Sequence, residues 1–180
     1  MRSGGFRIVS DTLVTFTGEA YIVSKTGRAV KVSSSNDDVA LSADEGATTF
    51  DWVGCLAWDS VSEQERPRCV SLTDAGRNGW YVRHRNYYLH VDPISTTSNL
   101  SLFKADSSFI VHADTFYPDH YALESVNYRD HYIKSHGDGR LAIVRQVNSK
   151  EYNDTASFRI YHYNTCSTYR HYTPHRQFTG

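Results

Sequence analysis

Gly79-Trp80-Tyr81-Val82-Arg83-His84-Arg85-Asn86-Tyr87-Tyr88-Leu89-His90-Val91-Asp92-Pro93 alternates apolar and polar residues on either side of a break. Trp80, Val82 and His84 fall on one face, and Tyr81 and Arg83 on the other. Past Arg85-Asn86, Leu89 and Val91 alternate with Tyr88, His90 and Asp92. Period-two alternation on both sides of a turn predicts a half-buried β-hairpin. Downstream, Phe103-Lys104-Ala105-Asp106-Ser107-Ser108-Phe109 reads as a turn closed by an aromatic, with a short strand around 109–111.

The unit recurs. Leu72 precedes Tyr81 by nine residues, and Leu123 precedes Tyr132 by nine. Tyr81-Val82-Arg83 matches Tyr132-Ile133-Lys134, and more faintly Tyr21-Ile22-Val23. The turns fall at Arg85-Asn86, Gly137-Asp138-Gly139 and Thr26-Gly27. The returning strands are Leu89/Val91, Leu141/Ile143 and Val30/Val32, and the closing aromatics are Phe109, Phe158 and Phe50. Tyr21 to Tyr81 is 60 positions and Tyr81 to Tyr132 is 51, so the first interval carries an insertion, placed in the charged stretch 59–68. Strands are expected near 6–9, 13–15, 21–23, 29–32 and 50–53 in the first repeat.

One such unit cannot bury its apolar face alone, whereas three around an axis can. The reading is all-β, a β-trefoil of three pseudo-repeats, with two strands of each repeat in a barrel and two in a cap. Residues 6–163 form one domain (repeats about 6–58, 69–113 and 121–163), followed by a tail, 164–180. A sandwich or propeller would need differently spaced repeats.

Composition agrees. The chain has 180 residues, 13 tyrosines, three tryptophans and eight phenylalanines, and is 39% hydrophobic. Tyrosine packs a ring and offers a hydroxyl, which suits short strands with a wet edge. The net charge of −1 supplies no field for nucleic acid or membrane surfaces. No apolar run is long enough to span a bilayer, and Met1-Arg2-Ser3-Gly4-Gly5 does not open a signal peptide. Compartment is left open, with an extracellular one favoured if the chain is a piece of a secreted parent. Cys55, Cys69 and Cys166 allow either one bridge, Cys55–Cys69 being nearest, or three thiols. Asn99 and Asn153 head glycosylation sequons.

The candidate chemistry lies in His84 and Asp106. One ends a strand at a hairpin turn, and the other sits three residues before the closing Phe109. A carboxylate accepts from adjacent sugar hydroxyls and a neutral imidazole adds a donor or acceptor. Tyr81, Tyr88 and their neighbouring rings supply an apolar platform. Asp106 alone is equally explained as a turn cap. His162, His171 and His175 lack metal-ligand spacing, so no metal or other cofactor is expected. Arg77, Arg83, Arg85 and Lys104 cluster among aromatics, yet the neutral whole argues against nucleic acid. Asp59, Glu63 and Glu65 read as a solvated face, and no paired carboxylates or activated nucleophile indicates an enzyme.

Tyr81-Val-Arg-His84-Arg-Asn86 followed by Phe103-x-x-Asp106-x-Ser-Phe109 resembles the arabinofuranosidase B-type (AbfB) carbohydrate-binding domain, carbohydrate-binding module family 42. Leu123-Glu-Ser125-Val-Asn127-Tyr128-x-x-x-Tyr132-Ile-Lys is similar to the same family's text. The resemblance implies a β-trefoil that binds arabinofuranose units of a polysaccharide or glycoconjugate without catalysis. It implies sugar contacts from His84 and Asp106, with Tyr81, Tyr88 and Tyr128 around them. In the third repeat the His84 slot holds Ser135, with His136 next, and the acid is Asp154, four residues before Phe158. A compensating bulge is needed there. In the first repeat the slots read Ser24 and Ala47, with Asp44 further off, and that pocket is expected to be lost. The alternatives are a trefoil with decayed pockets that docks a protein partner, or the binding module of a larger glycoside hydrolase.

Overall fold

The computed structural model describes residues 17–42 and 46–163. The strands expected near 6–9 and 13–15, and Asp44, Cys166, His171, His175 and the rest of the tail, lie outside the described residues. Among the described residues twelve strands fall into three groups of four. The first group is β1 (Gly18–Ser24), β2 (Val30–Val32), β3 (Val39–Leu41) and β4 (Phe50–Gly54). The second is β5 (Cys69–Asp74), β6 (Trp80–Arg85), β7 (Tyr88–Pro93) and β8 (Phe109–Ala113). The third is β9 (Tyr121–Ser125), β10 (His131–Ser135), β11 (Leu141–Arg145) and β12 (Phe158–His162).

The first and last strands of each group close a six-stranded antiparallel barrel in the order β1-β4-β5-β8-β9-β12, with β12 pairing back onto β1. Closure removes the free edges that an open sheet would present. The middle strands form three hairpins. Their returning strands meet pairwise through Asp38–His90, Tyr88–Ala142 and Ala40–Arg140, which closes a triangular cap. This is a β-trefoil with a pseudo-threefold axis.

The core is built from symmetry-related sets: Ile22, Leu72, Leu123; Val30, Val82, Ile133; Val39, Leu89, Leu141; Leu41, Val91, Ile143; and Phe50, Phe109, Phe158. All fifteen are buried. Burying each is worth about 1.5–3 kcal/mol, offset by the entropy of ordering the chain.

The sets correct the first-repeat register. Tyr21-Ile22-Val23 lies in β1, the counterpart of β5 and β9, one strand earlier than its likeness to Tyr81-Val82-Arg83 suggests. The strand equivalent to β6 is β2, because Val30 pairs with Leu41 as Val82 pairs with Val91. The slot matching His84 is therefore Val32, which pairs with Val39 as His84 pairs with Leu89, and it is not Ser24. Ile22 to Val30 is eight positions where Leu72 to Val82 and Leu123 to Ile133 are ten, and this shorter spacing hides the true match.

The stretch before Phe109, expected as a turn, is a short helix, α1 (Leu100–Asp106), with its repeat α2 (Lys150–Thr155). Asn99 and Ser149 cap them by accepting from the amides of Leu102 and Tyr152. The insertion between the first two repeats forms two 3₁₀ turns, Trp58–Ser60 and Arg66–Arg68, strapped by a Cys55–Cys69 disulfide. Among the described residues no helix is long and apolar enough to cross a membrane.

Candidate functional site

Each barrel seam brings the end of one repeat against the start of the next. Phe109 of β8 pairs with Ser125 of β9, as Phe50 pairs with Asp74 and Phe158 with Ser24. A pocket at a seam therefore draws a cap-hairpin residue and a helix end from one repeat, and a loop after the first strand from the next. At the second seam these are His84, Asp106 and the loop carrying Asn127 and Tyr128.

Alternation along β6 turns Val82 and His84 inward and leaves Tyr81 and Arg83 half-buried on the outer face. His84 Nε2 lies 3.6 Å from Asp106 Oδ1. Both side chains are buried. Asn127 bridges them, its Nδ2 donating to Asp106 Oδ1 at 2.8 Å and its Oδ1 lying 2.9 Å from His84 Nε2. An ionised carboxylate only accepts, so the amide nitrogen faces Asp106 and the imidazole proton sits on Nε2 toward the amide oxygen. Ser125 Oγ also donates to Asn127 Oδ1 at 2.9 Å.

Arg83 Nη2 donates to Asp106 Oδ2 at 3.2 Å, and its guanidinium lies 5.0 Å from the centre of the Phe103 ring, on which Tyr81 stands edge-on. Each Asp106 oxygen thus holds one protein donor and keeps acceptor capacity. Burial is the leading influence on His84 and keeps its pKa below the usual histidine value, against the pull of Asp106 and the Asn127 hydrogen bond. The site presents a neutral imidazole beside a fixed carboxylate. Asn127 and Tyr128 are exposed and form its open side, with the Tyr128 ring edge-on to His84 at 5.3 Å.

The other expected site residues lie elsewhere. Tyr88 faces the cap, between the Arg140 guanidinium at 4.1 Å and the His136 ring at 5.5 Å. Asp154 accepts from Tyr117 Oη at 2.8 Å and pairs with Lys25 and Lys150. Those donors hold its carboxyl well below the usual carboxylate range. Among the described residues no hydrogen bond or ion pair joins His136 to Asp154. The bulge needed to restore that pocket is absent, since β10 and β11 pair without interruption from His131–Arg145 to Ser135–Leu141.

Helix numbering explains the acid. Ser107 N bonds Phe103 O as Ala156 N bonds Tyr152 O. Thr155 is therefore the counterpart of Asp106, and Asp154 that of Ala105. One residue on a helix is a rotation of about 100°, which turns Asp154 away from the direction that Asp106 takes and onto Lys25, Lys150 and Tyr117. At the first seam the slots hold Val32, Ala47 and Gly76, and Arg77 replaces Tyr128. Arg77 is bound there by Asp37 and Asp74 at 2.6 and 2.8 Å.

Asn127, Ser125 and Arg83 stand in the quoted motifs and the basic cluster but were not among the expected site residues. The signal was present in the paired spacing Ser125-x-Asn127 and Ser24-x-Thr26, whose hydroxyl contacts repeat at 2.9 Å. The basic cluster is internally compensated. Arg83 and Arg85 flank Asp92, each at 3.6 Å, and Arg77 is paired as above. Among the described residues no group of His, Cys, Asp and Glu has the arrangement of a metal site.

The sequence profile of the alpha-L-arabinofuranosidase B (ABFB) domain matches residues 18–160. No curated protein matches the chain. Among solved structures, an arabinofuranosidase complexed with arabinofuranosyl-alpha-1,2-xylobiose superposes with a TM-score of 0.61 at 21% identity, over 82% of this chain and 31% of that one. An endo-β-galactosidase from Clostridium perfringens that releases GlcNAcα1-4Gal gives 0.55 at 12%, over 79% and 32%. A β-trefoil named BEL gives 0.57 at 13%, over 82% and 99%. At these identities the likeness is one of fold, and the chain spans about a third of the length of the two enzymes.

Proposed function

We propose, for a chain that belongs to the alpha-L-arabinofuranosidase B domain family, that it is a non-catalytic module holding one furanose-type sugar at the seam between its second and third repeats. The observation that carries the reading is the juxtaposition of a neutral His84 and the Asp106 carboxylate 3.6 Å apart, each fixed by Asn127. Asp106 accepts from a pair of adjacent sugar hydroxyls through its remaining lone pairs, and Arg83 orients the carboxylate through its hydrogen bond. Tyr128 offers its ring to the sugar's C–H face at the mouth. A single small polar site gives weak binding, and attachment to a larger glycoside hydrolase supplies the effective concentration that makes it useful. The likeness to an arabinofuranosidase that carries arabinofuranosyl-xylobiose supports an arabinofuranosyl unit as the ligand. The Cys55–Cys69 disulfide suits an oxidising, extracellular setting.

The test is calorimetric titration with an arabinofuranosyl-substituted xylo-oligosaccharide. Wild type binds, and His84→Ala and Asp106→Asn each lose binding while their circular dichroism melts stay cooperative. Undiminished binding in both folded variants refutes the site.

A further inference from the structure

The turn of the β6–β7 hairpin holds a residue the backbone does not favour. Asn86 and Tyr87 are both left-handed, with φ of 51° and 69°. A two-residue hairpin loop of this hand favours Asn-Gly, because glycine has no Cβ to clash. The other repeats show what the position requires. The carbonyl of Tyr87 accepts from Ile143 N at 2.8 Å, that of Gly139 from Leu41 N at 2.7 Å, and that of Asp37 from Val91 N at 2.9 Å. These are one symmetric contact made three times, from one repeat's turn to the next repeat's cap strand. The residue that gives the accepting carbonyl is left-handed in all three, with φ of 69°, 85° and 59°. The third repeat uses glycine and the first uses aspartate, both of which tolerate that hand. The second places a bulky aromatic ring there at a cost in backbone strain.

Core packing does not explain the choice, since Tyr87 is 52% exposed. Its ring lies against His131 at 6.4 Å, nearly parallel, and edge-on to Tyr128 at 5.6 Å. Tyr128 in turn covers His84. An aromatic shelf thus leads from the His84–Asp106 pocket outward. Beyond it the two cap hairpins leave an open depression of about 400 Å³ whose walls include Asn86, Tyr88, His131, His136 and Arg145. The lining suits a neutral polyhydroxylated ring, with flat faces for stacking and amide, imidazole and guanidinium donors around them.

We propose that this shelf is a second sugar subsite, in which Tyr87 stacks on the residue adjoining the one held by His84 and Asp106, so that the module selects a branched or extended glycan over a free monosaccharide. The proposal rests on the sugar-binding reading of the pocket. Tyr87 makes no hydrogen bond to the His84–Asp106–Asn127 network, so the two subsites are separable.

The experiment compares methyl α-L-arabinofuranoside with an arabinofuranosyl-xylotriose on wild type, Tyr87→Gly and Tyr87→Phe. Wild type binds the oligosaccharide about tenfold more tightly, the scale of one buried aromatic contact. Tyr87→Gly melts at the same or a higher temperature, keeps its monosaccharide affinity and loses the oligosaccharide advantage, and Tyr87→Phe retains it. Equal wild-type affinities for the two ligands, or an undiminished oligosaccharide advantage in Tyr87→Gly, overturns the subsite and leaves the pocket standing. Absence of binding to both ligands in wild type removes the pocket reading, and the subsite falls with it.

Discussion

At the seam between the second and third repeats, α1 ends on Asp106, which meets His84 and Asn127. At the seam between the third repeat and the first, α2 ends on Thr155, whose hydroxyl bonds back to Glu151 and Tyr152 carbonyls of its own helix. The helix-end bonds Ser107 N–Phe103 O and Ala156 N–Tyr152 O, and the strand pairing that follows, repeat at both places. The side chains differ at four slots of the pocket: His84 against Ser135, Asp106 against Thr155, Asn127 against Thr26, and Tyr128 against Gly27. Asp154 retains an acid near the seam but one residue early, where Lys25, Lys150 and Tyr117 engage it. Sites on a symmetric scaffold are thus made or lost by a few side chains, while the core sets and the fold persist.

The largest effect expected from breaking this contrast is at the acids. Asp106→Ala leaves the half-buried Arg83 guanidinium and the Asn127 amide without their shared acceptor, which costs about 1–3 kcal/mol of stability and abolishes glycan binding. Asp154→Ala releases exposed ion pairs, leaves binding unchanged and barely moves the melt. Paired denaturant titrations and calorimetry read both. Equal losses of affinity in the two variants would mean that both seams bind.

The same contrast shows what the sequence could and could not convey. Phe50, Phe109 and Phe158 mark the three repeats openly, because each opens the last barrel strand of its repeat and is fully buried in the core. The second and third repeats align by eye because Leu72 and Leu123 stand nine residues from matching tyrosines. The first repeat misleads because Tyr21-Ile22-Val23 imitates the cap strand while pairing as part of a barrel strand against β12. His84 and Asp106 were legible as a pair. Asn127 was not, because it reaches them across a seam from 43 and 21 positions away in the chain. Asp154 misled because the segment was read as a turn, where a one-residue shift is forgiven. On a helix the same shift redirects the side chain.

A more demanding test sharpens the comparison by moving the chemistry. The triple variant Ser135→His, Thr155→Asp, Thr26→Asn rebuilds the pocket residues at the third seam, where Lys134 already occupies the slot of Arg83. Calorimetric stoichiometry is expected to rise from one sugar per chain to two, the second site being weaker because Gly27 stands where Tyr128 would be. A folded variant that still binds one sugar would show that the three side chains are insufficient without the aromatic mouth.

The smallest effect concerns protons. His84 is held below the usual histidine pKa by burial, so the unfolded chain takes up the proton first as pH falls. Its contribution to stability is therefore fully present above about pH 6.5 and is lost as the solution is acidified through that value toward the lower folded pKa, at no more than about 1.4 kcal/mol per pH unit for one proton. Burial also lowers the pKa values of His90 and His162, so the raw pH profile contains all three. The third seam supplies the control, since Ser135 fills the same slot and does not titrate. His84→Ser should remove one histidine's share of the acid destabilisation and leave the rest, as read by denaturant midpoints between pH 7.5 and pH 5 on the two proteins. Identical midpoint shifts in both proteins would show that the ring is as easily protonated in the folded state as in the unfolded one, and that the pocket is wetter than its hydrogen bonds imply.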